Sequence, residues 1–329
     1  MRNWTNKIEP SIINYTIWIV VTIALWLTLP QTIALTSEDE TAGSVLSQVL
    51  YYVNFGESFR DYANLIGALL ISYLLFIINE KFSLIRVRTL LPTITGAFFL
   101  TLFTTHDMAS AGGIHALILL IAVILALAYV DNRSELISFN IGALIALGSI
   151  NFPLFILYAV PIASFFRFCN AFSVRTLLSL IIGYLVTLLY SIPILLYIGI
   201  DFSTIATPVL QLVSLDGYYD LSIIEKIYSL FVLLLSIYSL FRLSIFFTHE
   251  SVRQRGMFTL LFAVFFISIL FVVIFKDGIG YALHTVTAFG ALFLGCMLSA
   301  LFDKDLISRW IAIILAVINA AFVIMQYIE

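Results

Sequence analysis

Charged residues are scarce in this sequence: Asp, Glu, Lys and Arg make up 11% of its 329 residues, whereas hydrophobic residues make up 62%. Because a typical soluble domain has about 25% charged residues, this chain cannot cover its apolar surface in water. Its two cysteines, Cys169 and Cys296, do not have the pattern of a disulfide framework. Basic stripes interleaved with exposed aromatic residues are also missing, which argues against nucleic acid as a partner. The composition predicts a polytopic membrane protein.

Long apolar runs take the place of the missing charge. Eleven of them approach or exceed the length needed to cross about 30 Å of hydrocarbon, and none alternates like a barrel strand. Since a span in lipid must satisfy its own backbone hydrogen bonds, these runs are predicted to be helices. We therefore predict an all-α transmembrane bundle that forms one domain over residues 1–329. The runs are 13–29, 62–78, 90–105, 114–130, 136–150, 152–166, 174–198, 223–241, 257–275, 281–301 and 310–327.

Positive charge is unevenly distributed over the loops. With the N-terminus placed in the cytoplasm, thirteen of the sixteen Lys and Arg residues lie on the cytoplasmic side, in agreement with the positive-inside bias. Twelve of the nineteen acidic residues then lie outside. This asymmetry predicts eleven crossings, a cytoplasmic N-terminus and an outer C-terminus.

The runs 136–150 and 152–166 are each short for a full crossing and are separated only around Asn151 and Pro153. They either cross twice or form a re-entrant hairpin, since both arrangements leave the downstream loops on the same side. A single fused helix would instead move seven downstream basic residues outside, against the positive-inside bias. The sequence therefore predicts a break in this segment.

The outer loops 30–61 and 199–222 are long enough to hold structure of their own. Apolar residues recur in both at helical spacing, which predicts helices that lie in the outer interface. The first loop also carries acids that are positioned to bind a divalent cation or to take a proton from an acceptor hydroxyl. The alternative is that these acids are solvated loop residues. The candidate catalytic residues are Glu38, Asp39, Glu40 and Glu57.

Histidines and arginines supply the candidate binding residues. His284 shares a helical face with small residues that allow close helix contact, so we predict that it lies inside the bundle, toward the outer leaflet. There it either binds a phosphate or hydrogen-bonds a neighbouring helix. Arg60 and His106 are the other phosphate-binding candidates, whereas His106, Asp107 and His115 lack the spacing of a zinc motif, and no metal site is predicted.

Basic residues on the cytoplasmic side are placed to hold anionic lipid headgroups, or serve only to set the topology. These residues are Arg86, Arg88, Arg253 and Arg255. No ionisable group lies near the centre of a predicted span, which disfavours a proton-coupled or cation-coupled carrier. An uncoupled transporter ranks third among the functions considered.

Short motifs stand near the ends of the predicted spans: Asn79-Glu80-Lys81-Phe82, Arg86 through Pro92, Asn140 through Pro153, and Phe172-Ser173-Val174-Arg175 ahead of Gly183. Together they resemble an uncharacterised family of Bacteroidota inner-membrane proteins. The resemblance covers the second to seventh spans. It implies a multi-pass protein of a bacterial inner membrane and brings no established activity.

The architecture also resembles that of membrane glycosyltransferases that take sugars from polyprenyl-phosphate carriers. The shared features are a cytoplasmic N-terminus, about eleven spans, and a long first outer loop with acids and an interfacial helix. This likeness implies that Glu38, Asp39, Glu40 or Glu57 acts as base or binds a divalent cation. It also implies that Arg60, His106 or His284 steadies the phosphate leaving group.

Two functions from different classes follow from the sequence. One is a non-catalytic subunit or scaffold in cell-envelope assembly or export, with protein partners in an envelope complex, and this is the function that we favour. The other is a transferase of lipid-linked sugars or headgroups with its site in the outer leaflet. Whether the chain is an enzyme stays open at this stage.

Overall fold

The computed structural model describes residues 57–85, 89–102, 111–198, 223–274 and 278–301, together with a few single positions in the first and last apolar runs. The described residues contain no strand, which confirms the all-α class. They form nine α-helices: α1 (Glu57–Phe82), α2 (Leu91–Leu102), α3 (Ala111–Asn132), α4 (Glu135–Asn151), α5 (Ala159–Phe168), α6 (Val174–Ile198), α7 (Ile223–Phe247), α8 (Val252–Ile274) and α9 (Gly278–Leu301). A 3-10 helix, Pro153–Tyr158, precedes α5.

Six of these helices are long and apolar enough to cross a membrane, namely α1, α3, α6, α7, α8 and α9. Each coincides with a run predicted from the sequence, so a polytopic membrane protein is supported. The total of eleven crossings and the side on which each terminus lies stay predictions. The runs 13–29 and 310–327 and the interfacial helices predicted in loops 30–61 and 199–222 lie largely or wholly outside the described residues.

Helix α9 lies at the centre of the bundle and is buried from Ala282 to Ser299. It packs against α1, α2, α3, α7 and α8. Glycines make the closest approaches possible: a Cβ at Gly295 would collide with the backbone of Pro92 in α2, and one at Gly290 with Ser236 in α7. In addition, Thr95 Oγ1 of α2 donates a hydrogen bond to the Ala291 carbonyl at 2.9 Å. Small residues thus let a fully surrounded helix fit.

The chain reverses direction at Phe152, between α4 and the 3-10 helix. Phe152 has an extended backbone (φ −140°, ψ 101°), and its N–H donates to the Gly148 carbonyl at 2.9 Å. Pro153 then begins the 3-10 helix, since proline is well tolerated in the first turn, where its missing N–H is not needed. The return segment packs against α4. The predicted break is confirmed, and a fused helix is excluded.

Helices α4 and α6 run parallel and in close contact. A Cβ added at Gly142 would collide with the Leu180 carbonyl, and one at Gly183 with the Phe139 carbonyl. Ser138 Oγ also donates to the Thr176 carbonyl at 2.8 Å. Among the described elements α6 packs chiefly against α4, and only 11% of its apolar span is buried. Helix α6 is therefore the peripheral helix of the described bundle.

The two ends of the bundle differ in character. At one, which we call the arginine end, α3 finishes and α8 begins, and Arg253 pairs with Asp131 at 2.8 Å. Gln254 Nε2 donates to the Ser83 carbonyl there at 3.1 Å. At the other, the histidine end, α3 and α9 begin and carry His115 and His284 in their first two turns. Which of these two ends faces the cytoplasm stays a prediction from the charge pattern.

Candidate functional site

Two histidines lie buried inside the bundle near the histidine end. His115 of α3 is 2% exposed and His284 of α9 is 4% exposed. Because α3 and α9 begin at the same end and pack together, residues near their starts come to the same depth. We call these two side chains the histidine pair.

Aromatic rings enclose His115. Ring centroids lie 4.5 Å from it for Phe155, 5.7 Å for Tyr158 and 6.0 Å for Phe152. The 3-10 helix explains this arrangement, because with three residues per turn positions i, i+3 and i+6 stand on one face. Phe271 of α8 closes the group, at 5.3 Å from Phe152 and 5.4 Å from Tyr158. The result is an apolar cage around one imidazole.

Hydrogen bonds in the cage go to the tyrosine and not to His115. The Tyr158 and Ser268 hydroxyls are hydrogen-bonded at 2.7 Å. Ser268 Oγ also donates to the Val264 carbonyl at 2.9 Å, within its own helix. Neither ring nitrogen of His115 has a hydrogen-bond partner among the described residues. His115 therefore offers two nitrogens whose hydrogen-bonding capacity the described chain does not use.

Described acidic side chains lie away from the histidine pair. Glu80, Asp131, Glu135 and Glu250 belong to the arginine end, near the ends of α1, α3 and α7 and the start of α4. Within the described ranges, no group of three or more His, Cys, Asp or Glu side chains is arranged to hold a metal ion. A four-ligand zinc centre of the usual kind is thus not formed by these residues.

The other predicted site residues fall mainly outside this part of the chain. Glu57 and Arg60 lie in the first turns of α1, but their side chains are outside what the structure describes. Helix α1 begins at the histidine end, since its last residues reach Gln254 through Ser83. Four further predicted site residues and one pair predicted to bind lipid lie wholly outside the described residues: Glu38, Asp39, Glu40, His106, Arg86 and Arg88.

The arginine end carries the two described lipid-headgroup candidates. Arg253 is half exposed and already paired with Asp131, while Arg255 is exposed at the start of α8. Such a surface pair contributes about 0–1 kcal/mol, so it does not hold Arg253 firmly. Nearby, burial raises the pKa of the Cys169 thiol, and the positive charge of Arg253 partly lowers it.

Sequence reasoning did not predict the histidine pair or its cage. His284 was singled out alone, and His115 was grouped with His106 and Asp107. Two signals bear on the site: both histidines lie within two turns of the predicted outer ends of runs 114–130 and 281–301, and rings recur every third residue across Pro153. The pairing itself depends on which helices are neighbours, and hydropathy does not encode that.

Fold and site together define a polytopic, all-helical membrane protein with a buried histidine pair near one end. Comparison with known proteins found no match: no protein-family model, no curated protein and no solved structure matches this chain.

Proposed function

We propose that the chain is a non-catalytic membrane subunit that scaffolds an assembly or export complex in a bacterial inner membrane. The position of α6 carries this proposal. A spanning helix that packs chiefly against one neighbour presents most of its perimeter in the plane of the membrane. Another membrane protein can therefore bind to α6 while the core of the bundle stays unchanged.

Polar contacts inside the bundle support a fixed platform. Interhelical bonds join α2 to α9 through Thr95, α4 to α6 through Ser138, and the 3-10 helix to α8 through Tyr158. Each is made by a buried hydroxyl, and measured interhelical bonds of this kind average about 0.6 kcal/mol. These three buried hydroxyls thus help to hold neighbouring helices in place, as a scaffold requires.

Native mass spectrometry of the protein in lipid nanodiscs tests this proposal. Photo-cross-linking amino acids placed at Leu185 or Leu189, both exposed on α6, should capture a defined partner chain. The matched control is Phe266, which is exposed on α8 and should capture lipid alone. An isolated chain that carries bulk phospholipid and yields no cross-link from α6 would overturn the scaffold proposal.

A lipid-linked sugar or headgroup transferase is the second candidate. One observation favours it: α1, α3 and α9 all begin at the histidine end, so the helix start that bears Glu57 and Arg60 shares an end with the histidine pair. In this alternative Glu57, with the loop acids Glu38, Asp39 and Glu40, supplies the base or binds a divalent cation. Replacing all four acids by Ala should abolish transfer, and full activity in that variant would exclude this function.

Membrane lipids are the other proposed partners. Arg253 and Arg255 lie at the arginine end with five further described basic residues, and anionic headgroups favour such clusters. Replacing Arg255 by Gln should reduce retention of anionic lipid in nanodiscs, because its side chain is exposed. Unchanged retention would leave these residues with a role in topology alone.

A further inference from the structure

We propose that the perimeter of the arginine end, where α5 meets α8, holds one two-phosphate phospholipid of the cardiolipin class through Arg167 and Arg255. The site rests on the lipid binding proposed above for the arginine end. It adds Arg167, which the sequence did not single out as a headgroup ligand, and it commits to one class of lipid at one place on the bundle.

Helix α5 has one exposed face that ends in an arginine. Its exposed residues recur three or four positions apart, as residues on one side of a helix do. They are Val160, Ser164, Arg167 and Phe168. The residues of the opposite face are buried in the bundle, namely Pro161, Ile162, Phe165 and Phe166. The exposed face of α5 therefore points to the surrounding lipid and carries its charge at the arginine end.

Helix α8 has a similar face. Its exposed residues also lie three or four positions apart, and the first of them is an arginine. They are Arg255, Thr259, Phe262 and Phe266. Arg253 is rotated from Arg255 by about 200°, since each residue turns the helix by about 100°, and it pairs with Asp131 inside the end of the bundle. Arg255 is thus the arginine that α8 directs toward lipid.

The two exposed faces come together at the arginine end. A Cβ added at Gly256 of α8 would lie 2.8 Å from the Phe168 ring and 3.2 Å from Cys169 Sγ, both at the end of α5. Arg255 directly precedes Gly256, and Arg167 directly precedes Phe168. Among the residues that the structure describes, neither arginine has an ion-pair partner. Two uncompensated guanidinium groups therefore start from adjoining positions of the backbone.

Charge and position indicate the ligand. Like charges held near each other repel, and an anion between them relieves the repulsion. Guanidinium groups bind phosphate through paired hydrogen bonds. Because each arginine ends a lipid-facing apolar face, it lies at headgroup depth, where basic sites between helices bind the phosphates of anionic lipids.

A third exposed arginine favours two phosphates over one. Arg175 lies in the first turn of α6, and the connection from α5 to α6 starts at Cys169, beside Gly256. A single phosphate would leave two of the three positive charges uncompensated, whereas a two-phosphate headgroup leaves one. Such a lipid also carries four acyl chains, which can lie along the exposed faces of both α5 and α8.

Native mass spectrometry of the full-length protein, with cardiolipin or phosphatidylglycerol added at known concentrations, tests the site. We expect one cardiolipin per chain, bound about tenfold more tightly than phosphatidylglycerol because of the additional charge-assisted phosphate contact. Arg167→Gln and Arg255→Gln should each weaken cardiolipin binding roughly fivefold, the factor that corresponds to about 1 kcal/mol per basic residue. The matched control is Arg133→Gln, at an exposed arginine between α3 and α4, and it should leave binding unchanged.

Equal affinity for the two lipids, or cardiolipin binding that Arg167→Gln leaves intact, would overturn the site. An equal loss in Arg133→Gln would also overturn it, while general lipid binding by the arginine end would stand. If no variant lost any anionic lipid, both proposals would fail. Thermal unfolding checks that these surface variants fold.

A second measurement needs no variant. Cardiolipin with photoreactive acyl chains should label the segments that contain Val160 of α5 and Phe262 of α8, because both side chains are exposed on the proposed lipid-facing surfaces. Labelling confined to other helices would overturn the site.

Discussion

Among single side chains, the buried hydroxyls of Tyr158 and Ser268 are informative because they depend on each other unequally. Ser268 has a second partner, the Val264 carbonyl of its own helix, whereas the described contacts give the Tyr158 hydroxyl only Ser268. Removing one partner of a buried pair costs more when the other is left unsatisfied. The two truncations should therefore not be equivalent.

We expect Ser268→Ala to lower the free energy of unfolding by about 1–3 kcal/mol, since it strands the Tyr158 hydroxyl. Tyr158→Phe should cost about 0.5–1 kcal/mol, because Ser268 keeps its backbone bond. Thermal or denaturant unfolding in nanodiscs measures both. The double variant should resemble Tyr158→Phe more than Ser268→Ala, and equal costs for the two single variants would contradict this account.

Cys169 is a second informative side chain, outside the spans at the arginine end. Burial raises the pKa of its thiol and the Arg253 charge partly lowers it. Alkylation requires the thiolate, so Arg253→Ala should slow maleimide labelling at pH 7.5 by roughly two- to fivefold, equivalent to an interaction of about 0.4–1 kcal/mol. The same substitution removes the ion-pair partner of Asp131, and the negative charge of this carboxylate also disfavours the thiolate. Arg255→Ala is the control, and an equal effect there would argue for general charge and not for proximity.

Between helices, the crossing of α4 and α6 depends on two glycines that face backbone carbonyls. A methyl group at Gly142 must push the helices apart, because a carbonyl cannot rotate away as a side chain does. We expect Gly142→Ala to lower the free energy of unfolding by roughly 1–3 kcal/mol. A disulfide engineered between α4 and α6 should also form less completely in this variant.

Gly96→Ala is the matched control for that prediction. Its added methyl group would collide with the tip of the Leu75 side chain and make ordinary contact with Ser72 Oγ, and a side-chain tip yields more easily than a backbone carbonyl. The loss of stability should be clearly smaller than for Gly142→Ala. A larger loss at Gly96 would show that side-chain packing, and not backbone approach, limits this bundle.

The sequence predicted which segments are helical better than it predicted which helices pack together. Run 114–130 appears as Ala111–Asn132 and run 174–198 as Val174–Ile198, because apolar length is a local property. The 3-10 helix after Pro153 was not predicted, since six residues are too few to show a period. The histidine pair was not predicted either, because α3 and α9 are far apart in the chain and meet only through packing.

For the whole molecule, the orientation of the bundle in the membrane is a prediction that labelling can test. The positive-inside bias assigns the arginine end to the cytoplasm. In a chain without native cysteines, His249→Cys at that end should react with a membrane-impermeant maleimide only after cells are opened. Tyr197→Cys, at the other end and 92% exposed, should react in intact cells. The reverse pattern would invert the topology while leaving the fold unchanged.

The central position of α9 also has a consequence for biosynthesis. Helix α9 begins at Gly278, after α1 to α8 have all been made, so at about 5–20 residues per second it follows α2 by roughly 10–40 s. During that interval the surface of α2 around Pro92 lacks the core helix that packs on it in the finished bundle. We expect a chain that stops before Gly278 to yield loosely associated hairpins that are open to quality-control proteases, and not a smaller working bundle.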